Sequence, residues 1–344
     1  MAYITFLFGA GASADKLPVV QAIPHVMEKT IDFIQQEKFK LSNSDNFENR
    51  LIQGEPKSKQ YYLELLISEL KWLKKMSMTH ASIDTYAKKL SITGSFGELR
   101  RLKIAASAFF AINQVRTEWS EKRIDPRYDS FFASIMDSEM GLPENLNVVS
   151  WNYDFQFEMA YMEYSNQYKD IDTAGMGLNV KSKFMGKRRT VGFSIMKLNG
   201  SASFHSPDGQ SRHHFVDTFD LTLNEDFLNK LVEQYAIFST NTELIPSLSF
   251  AWENDTHSLN PIVQYSAREL RQTEILVIIG YSFPFFNRNV DKQILGGMHQ
   301  LKKIYYQDLN ADKLQSRLSA ILNVSHIEVV PYKEVGQFFI PYEF

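Results

Sequence analysis

The sequence predicts an α/β protein built on a Rossmann-like parallel sheet, with a helical block inserted into it or flanking it. Short apolar segments recur along the chain, and most of them end in small or polar residues. Segments with helical spacing of apolar residues lie between them, and this alternation is typical of a parallel sheet covered on both faces. The 344 residues are 44% hydrophobic and 22% charged, which is ordinary for a soluble protein of one large or two medium domains.

Six segments have the composition of strands: residues 3–8, 145–150, 190–198, 274–280, 303–307 and 326–330. Residues 274–280 give the clearest pattern, because five consecutive aliphatic side chains are typical of a strand buried on both faces. Binding sites of parallel sheets gather at the carboxyl ends of the strands. Small or polar residues stand at five of these ends, and packing alone does not explain them: Gly9, Asn152, Asn199, Gly280 and Asp308.

Helices are predicted between the strands. Residues 22–38, 58–76, 97–119 and 127–138 show helical spacing, and further helices are expected to end near 164 and 299 and to begin near 311. We expect one domain over 1–344, with a helical block over about 40–140 as an insertion or subdomain. The block carries no catalytic motif, so its aromatic residues are expected in a core: Tyr61, Tyr62, Phe109 and Phe110. Two segments are expected to be irregular, a polar loop over 41–58 and a hairpin or loop over 200–218.

Composition excludes several kinds of site and partner. The chain has no cysteine, so it forms neither a disulfide nor a cysteine-ligated zinc or iron–sulfur site. Its eight histidines lack metal-binding spacing, and we expect no metal. The net charge of −3 gives no general attraction for nucleic acid. No apolar run reaches the roughly 18 residues that span a bilayer, and no signal peptide is recognisable, so we expect a cytoplasmic protein with no membrane contact.

A turn of small residues follows the first strand: Gly9, Ala10, Gly11, Ala12 and Ser13. Main-chain N–H groups in such a turn can approach a pyrophosphate, helped by the start of the following helix. The alternative is a tight turn with a purely structural role. Ala14 stands where the G-x-G-x-x-G spacing has its third glycine, which disfavours a hydride-transferring dehydrogenase.

Asn152 and Asp154 follow the second strand, in the segment Trp151-Asn152-Tyr153-Asp154. An amide both donates and accepts hydrogen bonds, so Asn152 can orient a ribose hydroxyl or an attacking water. Asp154 can cap the next helix. The alternative is that both residues serve only as caps.

Two further strand ends carry candidates for nucleotide binding. Gly280 would allow close approach of a ligand, and Ser282 can hydrogen-bond a phosphate; the alternative is a simple strand-to-helix connection. Asp308 and Asn310 follow the next strand, at a position where a ribose hydroxyl is often held. Either residue can instead be the N-cap of the helix that begins near residue 311.

Together, five segments resemble the sirtuin (Sir2-like) superfamily in the order of its motifs. They are GAGAS at 9–13, WNYD at 151–154, KLNGS at 197–201, IIGYSF at 278–283 and the strand end at 308–310. The resemblance covers the strand framework at both ends of the chain and not the helical block. It is closest to bacterial Sir2-like proteins of anti-phage defence systems, many of which destroy NAD+.

The resemblance implies a Sir2-like fold with an NAD+ pocket. The turn at 9–13 would wrap the diphosphate, Gly280 and Ser282 would lie against the phosphate and adenosine, and Asp308 or Asn310 would face a ribose. Asn152 and Asp154 would lie near the nicotinamide ribose, as catalytic residues. The residues implied to bind NAD+ are Gly9, Ala10, Gly11, Ala12, Ser13, Trp151, Gly280, Ser282, Asp308 and Asn310.

Position 199 departs from the family pattern. The family has a histidine base there, in LHG, whereas this chain reads Leu198-Asn199-Gly200. An amide cannot take up a proton near neutral pH, and loss of a general base costs on the order of 10²–10⁴ in rate. Two explanations stay open: a naturally inactive chain, or a chain altered at this residue, which the intact KLxGS setting favours. His205, six residues on, is the alternative base.

The resemblance thus implies an NAD+ glycohydrolase that releases nicotinamide and ADP-ribose, inactive here because Asn199 replaces the base. The alternative is a catalytically inert module that binds NAD+ or a related nucleotide and acts through a partner protein. Deacylating sirtuins usually carry a four-cysteine zinc module, so a chain without cysteine is not expected to deacylate proteins. Defence NADases are generally silent until triggered, so a homo-oligomer, an activating partner protein or both are expected.

Overall fold

A computed structural model describes residues 2–19, 22–36, 41, 46–116, 124–164, 167–183, 192–209, 211–215, 226–254 and 261–344. The chain divides into two compact units. Unit 1 comprises Met1–Asp15, Ile124–Gly200 and Phe250–Phe344, and unit 2 comprises Lys16–Arg123 and Ser201–Ser249. The predicted helical block over 40–140 therefore lies partly in each unit. The predicted site residues belong to unit 1, except for His205, the alternative base, which belongs to unit 2.

The described residues contain ten strands in two sheets. They are β1 (Ile4–Phe8), β2 (Leu146–Ser150), β3 (Val180–Lys181), β4 (Ser194–Lys197), β5 (Ser203–His205), β6 (Arg212–His214), β7 (Ile245–Pro246), β8 (Ile275–Ile279), β9 (Lys303–Gln307) and β10 (Glu328–Tyr332). Unit 1 holds a seven-stranded sheet in the order β10-β9-β8-β1-β2-β4-β3. Every neighbouring pair in it is parallel, which confirms the predicted Rossmann-like α/β class.

The strand order reverses at β1. The chain proceeds from β1 to β2 and β4 on one side, and it later returns to β8 on the other side. At such a reversal the loops that follow the two central strands lead away from each other, and ligands of open α/β sheets bind in the crevice between them. The first and fourth predicted strands thus end at the most favourable place in the sheet.

Eleven α-helices lie in the described residues. They are α1 (Ile23–Ile34), α2 (Lys59–Thr79), α3 (Ile83–Ile92), α4 (Phe96–Val115), α5 (Pro126–Ile135), α6 (Gln156–Tyr164), α7 (Ile171–Gly177), α8 (Asp226–Thr240), α9 (Pro261–Glu269), α10 (Arg288–Leu295) and α11 (Ala311–Ser319). The predicted helices at 22–38, 58–76, 97–119 and 127–138 correspond to α1, α2, α4 and α5. Residues 37, 38 and 117–119 lie outside the described residues. The sequence patterns did not predict α3, α7, α8 and α9.

The core of unit 1 packs around β1, whose five residues are all buried. The Phe8 ring makes edge-to-face contacts with Phe157 and Phe338, with centroid distances of 4.9 and 5.0 Å. Edge-to-face pairs of this kind add about 0.5–1.5 kcal/mol each beyond the area they bury. These contacts hold the end of β1, and with it the start of the glycine-containing turn.

Unit 2 combines α1–α4 and α8 with the three-stranded sheet β6-β5-β7. Of the hairpin or loop predicted at 200–218, residues 203–205 and 212–214 form an antiparallel pair, β5 and β6, in which Ser203 pairs with His214, while residues 210 and 216–218 lie outside the described residues. The predicted core aromatics need one correction: Tyr62 and Phe109 are buried and Phe110 half-buried, but Tyr61 is 46% exposed. Tyr61 and Tyr62 are adjacent on a helix and therefore point about 100° apart, so only one of them faces the core.

Two further searches concern the described residues alone. None of their helices combines the length and the apolar character needed to cross a membrane. No three histidine, aspartate or glutamate side chains among them converge as a metal site would require.

Candidate active site

The turns after β1 and β8 touch through their backbones. Gly280 has a φ of +58°, and a Cβ built on it would lie 2.4 Å from the amide nitrogen of Ala12. A Cβ on Gly9 would lie 2.6 Å from the carbonyl oxygen of Gly280, and one on Gly11 would lie 2.8 Å from its Cα. Real Cβ atoms do not approach so closely, so all three positions require glycine for packing.

Three of the five backbone N–H groups in the first turn are already used within the protein. The amide of Gly9 donates to Ile279 O at 3.0 Å, that of Gly11 to Gly280 O at 2.9 Å, and that of Ala12 to Gly9 O at 2.9 Å. These three N–H groups therefore do not point at a ligand in this structure. The turn at Ala10–Ser13 is a short 3₁₀ segment, and α1 begins only at Ile23, so the expected helix start beside the phosphates is also missing. The alternative of a tight turn with a structural role explains why these positions are glycine, and diphosphate binding stays a prediction.

Ser13 is the centre of a buried polar network. Its hydroxyl donates to Asp154 Oδ2 at 2.7 Å and lies 2.7 Å from the hydroxyl of Tyr128. A hydroxyl has one hydrogen, and Asp154 receives it, so Tyr128 must donate to Ser13. Burial, and secondly the nearby Asp154 charge, raise the pKa of Tyr128 well above its usual value, which keeps this donor protonated. The network joins the turn after β1 to the segment after β2.

The orientation of the Asn152 side chain follows from its partners. Its Nδ2 donates to the carbonyl oxygen of Gly9 at 3.0 Å and to Ser13 Oγ at 3.1 Å. Because a carbonyl oxygen only accepts, the amide cannot be turned round, and both N–H bonds are used within the protein. No hydrogen bond from a described residue reaches Oδ1. Asn152 can therefore serve a ligand only as an acceptor.

Asp154 is held on both of its oxygens. Oδ1 accepts from the amide of Gln156 at 3.1 Å, at the start of α6, while Oδ2 accepts from Ser13. The capping role allowed by the sequence is thus present. Burial raises the pKa of Asp154, and the nearby Lys197 and the Ser13 hydrogen bond oppose that shift. Asp154 is 3% exposed, and each of its oxygens accepts one hydrogen bond from the protein, so its carboxylate helps to hold the segment after β2. Its catalytic role stays a prediction.

Lys197 supports the same segment from β4. Its ammonium group donates to the backbone carbonyl of Asp154 at 2.7 Å and pairs with Glu158 in the first turn of α6. Both side chains are almost completely buried. A buried charge is tolerated only when it is paired and hydrogen-bonded, so this contact fixes the spacing between β4 and α6.

Asn199 lies at the end of β4, beside the end of β2. Its Nδ2 is 3.3 Å from the carbonyl oxygen of Trp151 and 3.4 Å from the hydroxyl of Tyr153. The carbonyl again fixes the amide, with the nitrogen towards β2. Asn199 is 6% exposed, and its buried Oδ1 has no hydrogen-bond partner among the described residues. Such an atom costs about 1–3 kcal/mol unless another donor reaches it.

Trp151 packs on the turn after β8. Its ring stacks on Tyr281 with a centroid distance of 6.1 Å and an interplanar angle of 13°. The hydroxyl of Tyr281 donates to Asp291 Oδ2 at 2.8 Å, and Asn287 donates to the same hydroxyl at 2.9 Å. Burial raises the pKa of Asp291 to about 8 despite these hydrogen bonds. Asp291 is therefore largely protonated at neutral pH.

The remaining predicted residues lie apart from the two amides. Ser282 is exposed, and its carbonyl accepts from Arg317 of α11 at 3.0 Å. The Asp308 carboxylate accepts from the backbone amide of Asn310 at 2.7 Å, and Asn310 is the N-cap residue of α11. Among the described residues, no hydrogen bond links these three side chains to Asn152 or Asn199. Their ligand contacts stay predictions.

Arg127 braces the first turn from the start of α5. It forms a buried ion pair with Asp125 at 2.6 Å and donates to the carbonyl oxygen of Ala12 at 3.0 Å. The sequence analysis gave no role to this pair, to Tyr128 or to Asp291, and it named Lys197 only within the KLNGS segment. A lysine within the mostly apolar run at 193–198 was the one available signal. The other partners come from parts of the chain with no recognisable motif.

A separate cleft of about 780 Å³ opens at the amino edge of the sheet in unit 1. Its lining includes Tyr3, Asn145, Ser194 and Gln272, which precede or begin β1, β2, β4 and β8. It is therefore at the opposite end of the strands from the candidate site, and none of the predicted site residues lines it.

Comparison with known proteins does not add to these observations. No protein-family model matches the chain, and no curated protein matches it. The resemblance to sirtuins consequently depends on the five motifs alone.

Proposed function

We propose that the carboxyl edge of the unit 1 sheet binds NAD+ and that residue 199 occupies the position of the base for cleavage of its nicotinamide glycosidic bond. One observation carries the proposal. Asn152 and Asn199 stand at the ends of neighbouring strands, and carbonyl groups fix both amides with their N–H groups turned into the protein. Neither amide oxygen receives a hydrogen bond from a described residue, and ribose hydroxyl groups can supply the missing donors. Asn199 Oδ1 is buried, so the side chains around it must move when a ribose binds.

The proposed reaction is hydrolysis of NAD+. Water attacks C1′ of the nicotinamide ribose, the C–N bond breaks, and its electron pair leaves with neutral nicotinamide. The attacking water loses a proton to a base, and ADP-ribose is the second product. Carbonyl oxygens directed at the ribose would orient its hydroxyl groups as positive charge develops on the sugar.

The surroundings of residue 199 suit an imidazole. The nitrogen of Asn199 and Nδ1 of a histidine are each bonded to Cγ, so Nδ1 of a histidine there can occupy a similar place. The carbonyl of Trp151 would then hold Nδ1 in its protonated form, which leaves Nε2 free to accept a proton. Asn199 itself can accept no proton, so the chain with asparagine is expected to bind NAD+ without hydrolysing it at a comparable rate.

Restoring a histidine tests this proposal. The Asn199→His variant is expected to release nicotinamide and ADP-ribose at least about 100-fold faster than the chain with Asn199, the usual size of a general-base effect. Asn199→Gln is the matched control, because it keeps an amide and supplies no base. Chromatography of both products should be run over a range of protein concentrations, since assembly is expected to matter. No turnover by the histidine variant together with no calorimetric NAD+ binding would contradict the proposal.

A second function is favoured by one observation, the asparagine itself. As it stands, the chain has a buried amide at the place of the base, which is compatible with a module that senses NAD+ or a related nucleotide and signals to a partner protein. NAD+ binding by the original chain, with no hydrolysis by Asn199→His, would favour this module. The defence role implied by the resemblance is tested separately, by counting phage plaques on cells that express Asn199→His.

A further inference from the structure

The cleft at the amino edge of the unit 1 sheet has a volume of about 780 Å³, within the range of small-molecule sites. We propose that this cleft binds a small organic cation, in which an amine or guanidinium group is attached to an apolar body. The site is separate from the candidate active site, because the two lie at opposite ends of the strands.

The charges in the lining all have one sign. Three carboxylate residues line the cleft, Asp137, Glu144 and Glu269, and none of its described lining residues is lysine, arginine or histidine. Glu144 is exposed, and no described residue donates to its carboxylate. Arg268 donates twice to Oε1 of Glu269, at 2.9 Å each, which leaves Oε2 for a ligand. Asp137 Oδ1 accepts from two backbone amides of the following turn, at 2.9 and 2.7 Å, and no described residue donates to Oδ2.

Two helices add negative potential from the backbone. α5 precedes β2 and α9 precedes β8, so each helix ends at the edge where its strand begins. Their last residues, Ile135 and Glu269, both line the cleft. The carboxyl end of a helix acts as about half a negative elementary charge, which favours a cation close to it. Side chains and backbone thus select the same sign of ligand.

The remaining lining residues favour an organic cation over a metal ion. Tyr3 and Phe344 line the cleft and are 42% and 37% exposed, so their rings can contact a ligand. Aromatic rings attract cations over their faces and also pack against apolar groups. The three carboxylates do not converge as a metal site requires, since no such group occurs among the described residues. An ammonium or guanidinium group can instead use carboxylates that stand apart, while its apolar body covers the rings.

A set of matched probes isolates the contribution of charge. 4-Phenylbutylamine and 4-phenylbutanol share one apolar body and differ in an ammonium against a hydroxyl group. We expect the amine to bind the full chain at least about tenfold more tightly than the alcohol in titrations followed by saturation-transfer NMR. 4-Phenylbutyrate, which carries a carboxylate, should bind more weakly than the alcohol.

A double variant assigns the binding to this cleft. Glu144→Gln/Glu269→Gln keeps both side chains at nearly the same size and removes two negative charges. It should weaken the amine about five- to tenfold and leave the alcohol unchanged. Asp32→Asn/Glu48→Gln is the matched control, because it changes the net charge equally at two exposed residues that do not line the cleft. Its affinity for the amine should equal that of the original chain, and equal thermal midpoints would separate these effects from unfolding.

Three results would each overturn the cation site. They are no amine binding up to about 10 mM, equal affinities for the amine and the alcohol, and equal responses of the amine affinity to the two double variants. None of these measurements contains NAD+. A failure here therefore leaves the proposed function standing, and a failure of the NAD+ experiments leaves the cation site standing.

Discussion

The Lys197 ammonium nitrogen lies 2.5 Å from Glu158 Oε1, and the two side chains are 3% and 0% exposed. The pair ties the last residue of β4 to α6, two residues before Asn199. Taking two charges out of water is costly, and their attraction and hydrogen bonds offset that cost only while both are present. The contact therefore stabilises the local arrangement more through the penalty for breaking it than through its own strength.

Removing one partner of this pair should be severe, and removing both should be mild. Lys197→Met leaves Glu158 buried without its cation, and we expect a loss of about 3–5 kcal/mol in the free energy of unfolding. Lys197→Met/Glu158→Leu leaves no buried charge and should recover most of that loss. Urea unfolding of the two variants and the original chain, followed by tryptophan fluorescence, measures both effects. Equal losses in the single and double variants would contradict the explanation.

The close contact between the turns after β1 and β8 gives a second prediction, which compares the stabilities of two glycine-to-alanine variants. Gly280→Ala should lower the free energy of unfolding by about 3 kcal/mol or more, because it adds a methyl group against Ala12 to the cost of a left-handed backbone. Gly94 also has a positive φ, +71°, but has no atom within 4 Å of a built Cβ. Gly94→Ala should therefore cost only about 1–2 kcal/mol for the backbone conformation. Similar midpoints in urea for the two variants would show that the turns can separate without cost.

The strands were predictable where local pattern decides the structure. The apolar runs at 3–8, 274–280 and 303–307 agree with β1, β8 and β9 within one residue at each end. The last strand was predicted at 326–330, but it spans Glu328–Tyr332 and includes Pro331. β10 is an edge strand paired only with β9, and an edge strand tolerates a proline. β3 has two residues, too few for any periodicity.

The candidate site was predictable only in part, because local sequence patterns give the positions of its residues but not the partners that orient their side chains. The topology of a parallel sheet determines that strand ends meet, so Asn152 and Asn199 could be placed near each other from their positions alone. Their orientation depends on partners such as Ser13 and the carbonyl of Trp151, which only the folded chain brings together. Asp154 was expected to be catalytic by resemblance, and that role stays a prediction; the folded chain adds its hydrogen bond from Gln156 at the start of α6. Tyr128 and Arg127 contribute through contacts that no short motif encodes.

The fixed amide of Asn152 gives a third prediction. Asn152→Asp places a carboxylate oxygen against the Gly9 carbonyl, where the amide now donates, and two acceptors repel each other. Asn152→Ala removes the donors without adding repulsion and should cost about 2 kcal/mol. We expect Asn152→Asp to lower the thermal midpoint further than Asn152→Ala, although aspartate matches asparagine in size. The reverse order would mean that the amide is not oriented by Gly9.

Asp291 predicts how stability depends on pH. Its folded pKa is raised to about 8, whereas an unfolded aspartate titrates near 3.9. Between these values the folded chain retains a proton that the unfolded chain has lost, so this residue makes stability fall as pH rises, by up to about 1.4 kcal/mol per pH unit. The stabilising contribution is complete below pH 4 and is lost once the pH passes 8.

Asp291→Asn can still accept from Tyr281 and does not titrate. Urea midpoints measured from pH 5 to 8.5 should fall less steeply for Asp291→Asn than for the original chain. Parallel slopes for the two proteins would show that Asp291 is ionised in the folded state throughout this range.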